Sequence, residues 1–284
     1  MNSLFRVSIV TSIFLILISC STKKGFLPYE GLKGNPNQVE ILTYDPIPEN
    51  SKVEPSLSSR EINDFDEIGR KSRYRIFRSD GSPVNGGIGY FYSEKGPVKY
   101  QEYYDLDGEI KTKLVFEYDQ KGRLIKSESI SGNKVTVKNT TYDRNKDIFY
   151  TTLTYQNDAL MQNSVNQLDK KGRTLVMTDY HKNGSQKIKI EYEYDQKGNE
   201  VLSKWFNSDD RLYEFYKKYY NSNNEEIQLE KFQVTQGDTL QVSKTTTEYL
   251  YDSLGNQSQL SVKTGGNIYL KKVVVFYPLN LDFE

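Results

Sequence analysis

The stretch Phe116-Glu117-Tyr118-Asp119-Gln120-Lys121-Gly122-Arg123-Leu124 returns further on as Tyr192-Glu193-Tyr194-Asp195-Gln196-Lys197-Gly198-Asn199-Glu200. A chain that restates such a segment must fold by repeating one local structure. Each copy reads as a strand ending in an aromatic residue, then a tight turn in which Asp caps its own backbone and Gly supplies a positive φ. A second strand follows at once. Related turns start at Asp66, Arg78, Ser93, Asp105, Asp119, Asp143, Gln156, Asp169, His181, Asp195, Asn207, Asn221 and Asp252, with neighbouring starts mostly 12 to 14 residues apart. Once the turn is subtracted, what remains suits one strand of roughly 30 Å. Asp119, Gly122, Asp169, Gly172, Asp195, Gly198, Asp252 and Gly255 are therefore read as structural turn residues.

Every second turn lies about 26 residues on, so the unit is a hairpin and the turns alternate between two edges of one sheet. One edge carries Tyr92-Ser93, Tyr118-Asp119, Tyr142-Asp143, Leu168-Asp169, Tyr194-Asp195, Tyr220-Asn221 and Tyr251-Asp252; the other carries Tyr104-Asp105, Tyr155-Gln156, Tyr180-His181 and Phe206-Asn207. Looser turns are expected at Ser131-Gly132-Asn133, Gln236-Gly237-Asp238 and Gly265-Gly266-Asn267. Within strands the side chains alternate: Ile188, Ile190, Tyr192 and Tyr194 point one way, and Lys187, Lys189, Glu191 and Glu193 the other. The expected fold is all-β, an extended antiparallel meander of repeated hairpins. Its apolar face requires the sheet to curl or spiral, to fold over itself, or to be covered.

Lys+Arg 38 balances Asp+Glu 38, so no net field draws the chain to nucleic acid. The 23 Tyr and 13 Phe supply the bulk that a modest aliphatic content does not. The single cysteine, Cys20, follows a leader with one positive charge at Arg6 and an apolar run from Val7 to Ile18. That run is shorter than the ~20 residues a bilayer crossing needs, so it reads as an export signal. Leu17-Ile18-Ser19-Cys20 resembles the bacterial lipobox, which implies cleavage after Ser19 and a diacylglycerol on the Cys20 sulfur. Residues 1–19 are then a signal peptide, 20–60 a polar tether interrupted by Pro28, Pro36, Pro46, Pro48 and Pro55, with a short strand around Val39 to Tyr44 that packs on the repeat region as the alternative for that part, and 61–284 the repeat domain.

The repeats resemble the tyrosine-aspartate repeats of Rhs proteins, in which an aromatic-Asp pair, two residues and Gly-Arg precede an apolar strand. Phe116 to Leu124 matches that pattern, Tyr192 to Glu200 departs from it at Asn199, and Leu168 to Thr174 keeps Asp169-Lys170-Lys171-Gly172-Arg173. Tyr180-His181-Lys182-Asn183-Gly184 is also similar to MORN-variant repeats of bacterial envelope proteins. The resemblance implies a wall-like strand-turn-strand sheet. Toxin enclosure does not carry over, because the chain is too short to build a cage.

Little in the chain points to chemistry. His181 is the only histidine and occupies a turn position, so no two-histidine zinc site exists and a Ser-His-Asp arrangement finds no support. Asp209-Asp210, or Asp105 with Asp107, are the conceivable carboxylate pairs for glycoside hydrolysis or calcium. The turn explains Asp105 locally, and no catalytic residue, metal site or cofactor is assigned. Gly86-Gly87-Ile88-Gly89 reads as a flexible hairpin tip or bulge. The densest aromatic cluster surrounds Trp205, Tyr213 and Tyr216, the candidate binding patch. The expected function is a non-enzymatic binding or scaffold lipoprotein of the bacterial envelope. It is expected to hold a protein or glycan and to be lipid-anchored through Cys20, at the outer membrane or cell surface more than at the inner membrane. An immunity-type lipoprotein that neutralises a toxin, and an envelope polysaccharide hydrolase using turn carboxylates, are the alternatives.

Overall fold

The computed structural model describes residues 36–276 apart from residue 95, residues 144–147 and 155–158, and residue 236. Ser19, Cys20 and the turns that follow Asp143 and Tyr155 lie outside the described residues. Among the described residues nineteen strands follow one another: β1 Gln38–Tyr44, β2 Ile47–Pro48, β3 Leu57–Phe65, β4 Lys71–Arg78, β5 Gly87–Tyr92, β6 Val98–Tyr104, β7 Ile110–Tyr118, β8 Leu124–Ser131, β9 Lys134–Asp143 and β10 Ile148–Thr154. The series continues with β11 Leu160–Leu168, β12 Thr174–Tyr180, β13 Gln186–Tyr194, β14 Glu200–Phe206, β15 Leu212–Tyr220, β16 Glu226–Thr235, β17 Asp238–Tyr251, β18 Gln257–Thr264 and β19 Asn267–Phe276. From β3 to β19 each strand pairs antiparallel with the next, as the hairpin period predicts.

The first strand does what the repeats alone do not specify. β1 pairs with β3, Val39 opposite Asn63, and on its other edge with β19, Val39 opposite Val275. The hydrogen-bonded order therefore returns to its starting strand and forms a ring that includes every strand except the two-residue β2, a side pairing on β19. An open meander exposes two rows of unpaired N–H and C=O groups, and ring pairing through β1 removes both. The sheet thus begins at Gln38, inside the segment read from sequence as a tether, where the alternative of a short strand around Val39 to Tyr44 packed on the repeats is the one that holds.

The sequence predicted looser turns at three places, and the structure differs. Ser131 pairs with Lys134, Thr235 with Asp238 and Thr264 with Asn267, so each is a two-residue hairpin, tighter than the repeat turn. Glycine supplies the left-handed backbone that such tight turns require.

Directly opposed residues share a face of the sheet, and following the register around the ring separates two faces. One carries Tyr74, Tyr90, Tyr103, Tyr118, Tyr192, Tyr194, Trp205, Tyr216 and Tyr249, and is called here the tyrosine face. The other carries cross-strand ion pairs: Arg75–Asp64 at 2.7 Å, Lys113–Glu102 at 2.9 Å, Lys126–Glu117 at 3.1 Å, Lys204–Glu193 at 2.8 Å and Lys263–Glu248 at 3.3 Å. Such partly exposed pairs contribute a few tenths of a kcal/mol each, roughly, and set register more than stability.

The tyrosine face is less apolar than the alternation suggested, because Lys71, Glu214, Lys218 and Lys231 also stand on it. Its rings keep polar tips, which is why one sheet layer persists without a second layer over it. Among the described residues only Val39, Ile41, Ile62 and Ile190 are buried apolar side chains, and strands approach only their hydrogen-bonding neighbours. No helix among the described residues is long and apolar enough to cross a membrane.

Candidate functional site

The described repeat turns share one backbone hydrogen-bond pattern. At Asp119 the backbone N–H donates to the Arg123 carbonyl at 2.9 Å and the Gly122 N–H donates back to the Asp119 carbonyl at 2.9 Å. Asp119 Oδ1 accepts the N–H groups of Lys121 and Arg123, both at 2.9 Å, and Oδ2 accepts Arg123 Nε at 2.7 Å. Asp169 repeats this with Arg173, while Asp195 and Asp252 use Asn199 and Asn256 in place of the arginine. Gly122, Gly172, Gly198 and Gly255 all carry positive φ, and Asp210 and Asn224 take the same conformation at their turns.

These bonds decide the chemistry of the carboxylates. Arg123 holds the Asp119 carboxyl below its usual range, and the Asn256 backbone N–H does the same for Asp252. A general acid needs the opposite shift. Asp105 spends Oδ1 on the N–H groups of Asp107 and Glu109 and faces Lys111 at 2.8 Å, while Asp210 pairs with Lys189 at 2.6 Å. Neither imagined carboxylate pair is therefore assembled. His181 donates its backbone N–H to Ser185 at 2.8 Å in the same turn, and no group of metal-ligating side chains gathers among the described residues.

The turn tyrosines have a role that spacing alone did not reveal. Each reaches over the neighbouring strand and donates its hydroxyl to the carbonyl five residues after the start of the preceding turn on its edge. Tyr92 bonds Lys71 at 2.8 Å, Tyr118 bonds Val98 at 2.9 Å, Tyr142 bonds Leu124 at 3.1 Å, Tyr194 bonds Thr174 at 2.7 Å and Tyr220 bonds Glu200 at 2.9 Å. In the last repeat Tyr249 replaces the motif residue Tyr251 and bonds Glu226 at 2.8 Å. The turn arginine lies over the same ring, Arg70 on Tyr92 at 4.3 Å, Arg123 on Tyr142 at 4.1 Å and Arg173 on Tyr194 at 4.5 Å. One rim of the ring is thus clamped turn to turn. Tyr118→Phe and Tyr220→Phe are each expected to lower stability by about 1 kcal/mol in urea unfolding, and the double variant by their sum. A double variant no weaker than either single one would contradict independent clamps.

The candidate patch is divided between the two faces. Trp205 and Tyr216 meet edge-to-face on the tyrosine face with ring centroids 6.2 Å apart. The Tyr216 hydroxyl donates to Glu214, which also pairs with Lys231 at 2.5 Å, and Lys231 lies over the Tyr216 ring at 5.4 Å. Tyr213 lies on the opposite face, 36% exposed, because its odd offset from Tyr216 reverses its direction in a strand. Phe215 and Phe232 stack there at 4.5 Å, and Lys217 stands over both rings. The sequence cluster is therefore two surfaces.

A cavity of about 360 Å³ lies elsewhere, lined by Ser72, Arg73, Gly86, Gly89, Phe91, Tyr104 and Gly108. It marks the weakest seam of the ring, since β4 and β5 pair only at Arg73–Gly89 and Tyr74–Ile88. The chain between them turns aside. Phe77 bridges to Pro83, and the Gly86 N–H donates to the Tyr104 carbonyl on β6 at 3.1 Å. A Cβ on Gly86 would sit 1.8 Å from the Asp105 carbonyl oxygen, so the glycine run is closely packed backbone and not a flexible tip.

No protein family matches the chain, and no curated protein matches it. Solved structures do. A porin-like protein from Bacteroides uniformis is similar at 10% identity and a TM-score of 0.33, over 85% of this chain and 98% of that one. A porin-like protein from Bacteroides vulgatus gives 10% identity and 0.38, over 86% and 99%. TcdB2-TccC3 without its hypervariable C-terminal region gives 12% identity and 0.21, over 76% of this chain but 20% of that one. At these scores the likenesses carry no functional argument.

Proposed function

We propose that this chain is a non-enzymatic binding or scaffold lipoprotein of the bacterial envelope, anchored in a bilayer through acylated Cys20 and holding a protein or glycan on its sheet faces. The carrying observation is the Trp205–Tyr216 pair, two large rings set beside the Glu214–Lys231 ion pair on one face. Aromatic bodies with polar tips recognise partners at low conformational cost. Ring pairing through β1 covers the outer edges of β3 and β19 among the described residues, so faces, turns and the thinly paired β4–β5 seam are the available surfaces. Turn carboxylates held ionised by backbone and arginine argue against a hydrolase. Both faces carry charged side chains, so neither offers the uninterrupted apolar band of a lipid-facing barrel.

The test is affinity capture with tagged residues 21–284 from a detergent extract of the protein's own envelope, comparing wild type with Trp205→Ala. One stoichiometric partner, reduced tenfold or more by Trp205→Ala at unchanged thermal midpoint, is expected. A captured glycan that shortens on incubation would overturn the non-enzymatic reading, and partner retention unaffected by Trp205→Ala would remove the patch. In cells, Cys20→Ala is expected to move the protein from the membrane fraction to the soluble one. Full retention on the membrane would overturn the lipid anchor.

A further inference from the structure

The cavity at the β4–β5 seam is lined by one arginine, Arg73. Arg60, Arg70, Arg75, Arg123 and Arg173 each face a carboxylate, and Arg78 is bonded to Ser82 and Pro83. Arg73 lines the cavity exposed; its backbone is in the ladder opposite Asp64 and Gly89, and its guanidinium makes no ion pair or hydrogen bond with any described residue. The acids on this row are already engaged: Asp64, directly opposite Arg73, accepts Arg75 at 2.7 Å and Gln38 Nε2 at 2.8 Å, and Glu102 accepts the Tyr104 hydroxyl at 2.7 Å and Lys113 Nζ at 2.9 Å. Arg73 itself lies close enough to Tyr104 to draw its phenol down, against the pull of Glu102 that pushes it up to about 12.

The walls are aromatic and the floor has no side chains. Phe91 and Tyr104 lie so near Gly89 that a Cβ there would meet Phe91 Cε2 at 3.0 Å and Tyr104 Cε2 at 3.3 Å. Phe91 is held flat by stacking on Tyr100 at 4.4 Å. With Gly86 and Gly108 completing the lining, and Ser72 contributing a hydroxyl, backbone and ring faces are open to a ligand.

We infer that this cavity binds one carboxylated sugar residue, its carboxylate on Arg73 and its apolar ring face against Phe91 and Tyr104. The inference rests on the reading of the protein as a binding module. A single guanidinium matches a monoanion in a bidentate pair, whereas a phosphate dianion calls for further cations or a nest of N–H groups, which the lining does not supply. About 360 Å³ accommodates one hexuronate ring. Hydroxyls of such a ring find partners in Ser72 and in the backbone of strands that pair over only two positions.

The test is titration of tagged residues 21–284 with glucuronate, glucose and acetate, followed by NMR or calorimetry, for wild type and Arg73→Gln. Glucuronate is expected to bind, glucose and acetate to bind at least tenfold more weakly, and Arg73→Gln to lose glucuronate tenfold or more at unchanged thermal midpoint. Phe91→Leu, which removes the ring face and keeps the charge, is expected to weaken glucuronate and leave acetate unchanged. Absence of glucuronate binding, equal binding of acetate, or full binding by Arg73→Gln would each overturn the site. Envelope capture through Trp205 is read out separately, so failure of this cavity and failure of the binding-module reading are distinguishable.

Discussion

Gly87→Ala is expected to cost about 3–5 kcal/mol and to abolish or severely weaken folding, whereas Gly122→Ala, at a residue of equally left-handed backbone, is expected to cost only about 1–2 kcal/mol. Both have positive φ, +97 and +76. The difference is space. Around Gly122 nothing lies within 4 Å of an added Cβ, so only backbone strain is felt. At Gly87 the Cβ would lie 2.4 Å from the Tyr74 carbonyl oxygen, on the strand to which β5 is joined by just two residue pairs. Relief requires the strands to separate where they are least held. Urea unfolding of the two variants side by side checks this. Equal costs would mean that the β4–β5 seam yields freely and contributes nothing to closure.

Lys71→Met is expected to stabilise the protein by about 2 kcal/mol at pH 7 and to lose that advantage in alkali. Lys71 is 7% exposed, with its ammonium over the rings of Tyr74 and Tyr90 at 4.9 and 5.4 Å. Burial lowers its pKa from 10.5 to about 8, partly opposed by Glu61. Between about pH 8 and 10.5 the unfolded chain binds more protons than the folded one, so wild-type stability rises with pH across that window. Below it the cost of the buried charge is complete. Methionine keeps the length and removes the charge, at the loss of two cation–π contacts worth about 1 kcal/mol. Denaturation series at pH 7, 9 and 10.5 read the result. A difference that does not change with pH would show that packing, not ionisation, governs the site.

The turn was legible because it is local. Asp, two residues and Gly within one short segment determine which N–H meets which oxygen, so the turn hydrogen bonds of Asp119, Asp169, Asp195 and Asp252 were readable. The period of about 26 residues likewise follows from strand length plus turn, and the antiparallel meander from repetition of that hairpin. Tyr213 shows where local reading stops. It was grouped with Trp205 and Tyr216 by proximity in the chain, and the pleat sent it to the other face. The Tyr194 hydroxyl needed its acceptor, the Thr174 carbonyl, placed beside it by a neighbouring strand.

What the sequence by itself determined is the repeat: the turn chemistry and the strand spacing. What only the tertiary structure decided is the ring, the tyrosine clamps and the cavity at the seam. Val39 is opposed to Asn63 and to Val275, and nothing in the local pattern around Val39 distinguishes those partners from any other strand. Periodicity encodes how a residue stands in its own hairpin. Ring pairing depends on the twist summed over every strand between β3 and β19, which exists only once they are all in place.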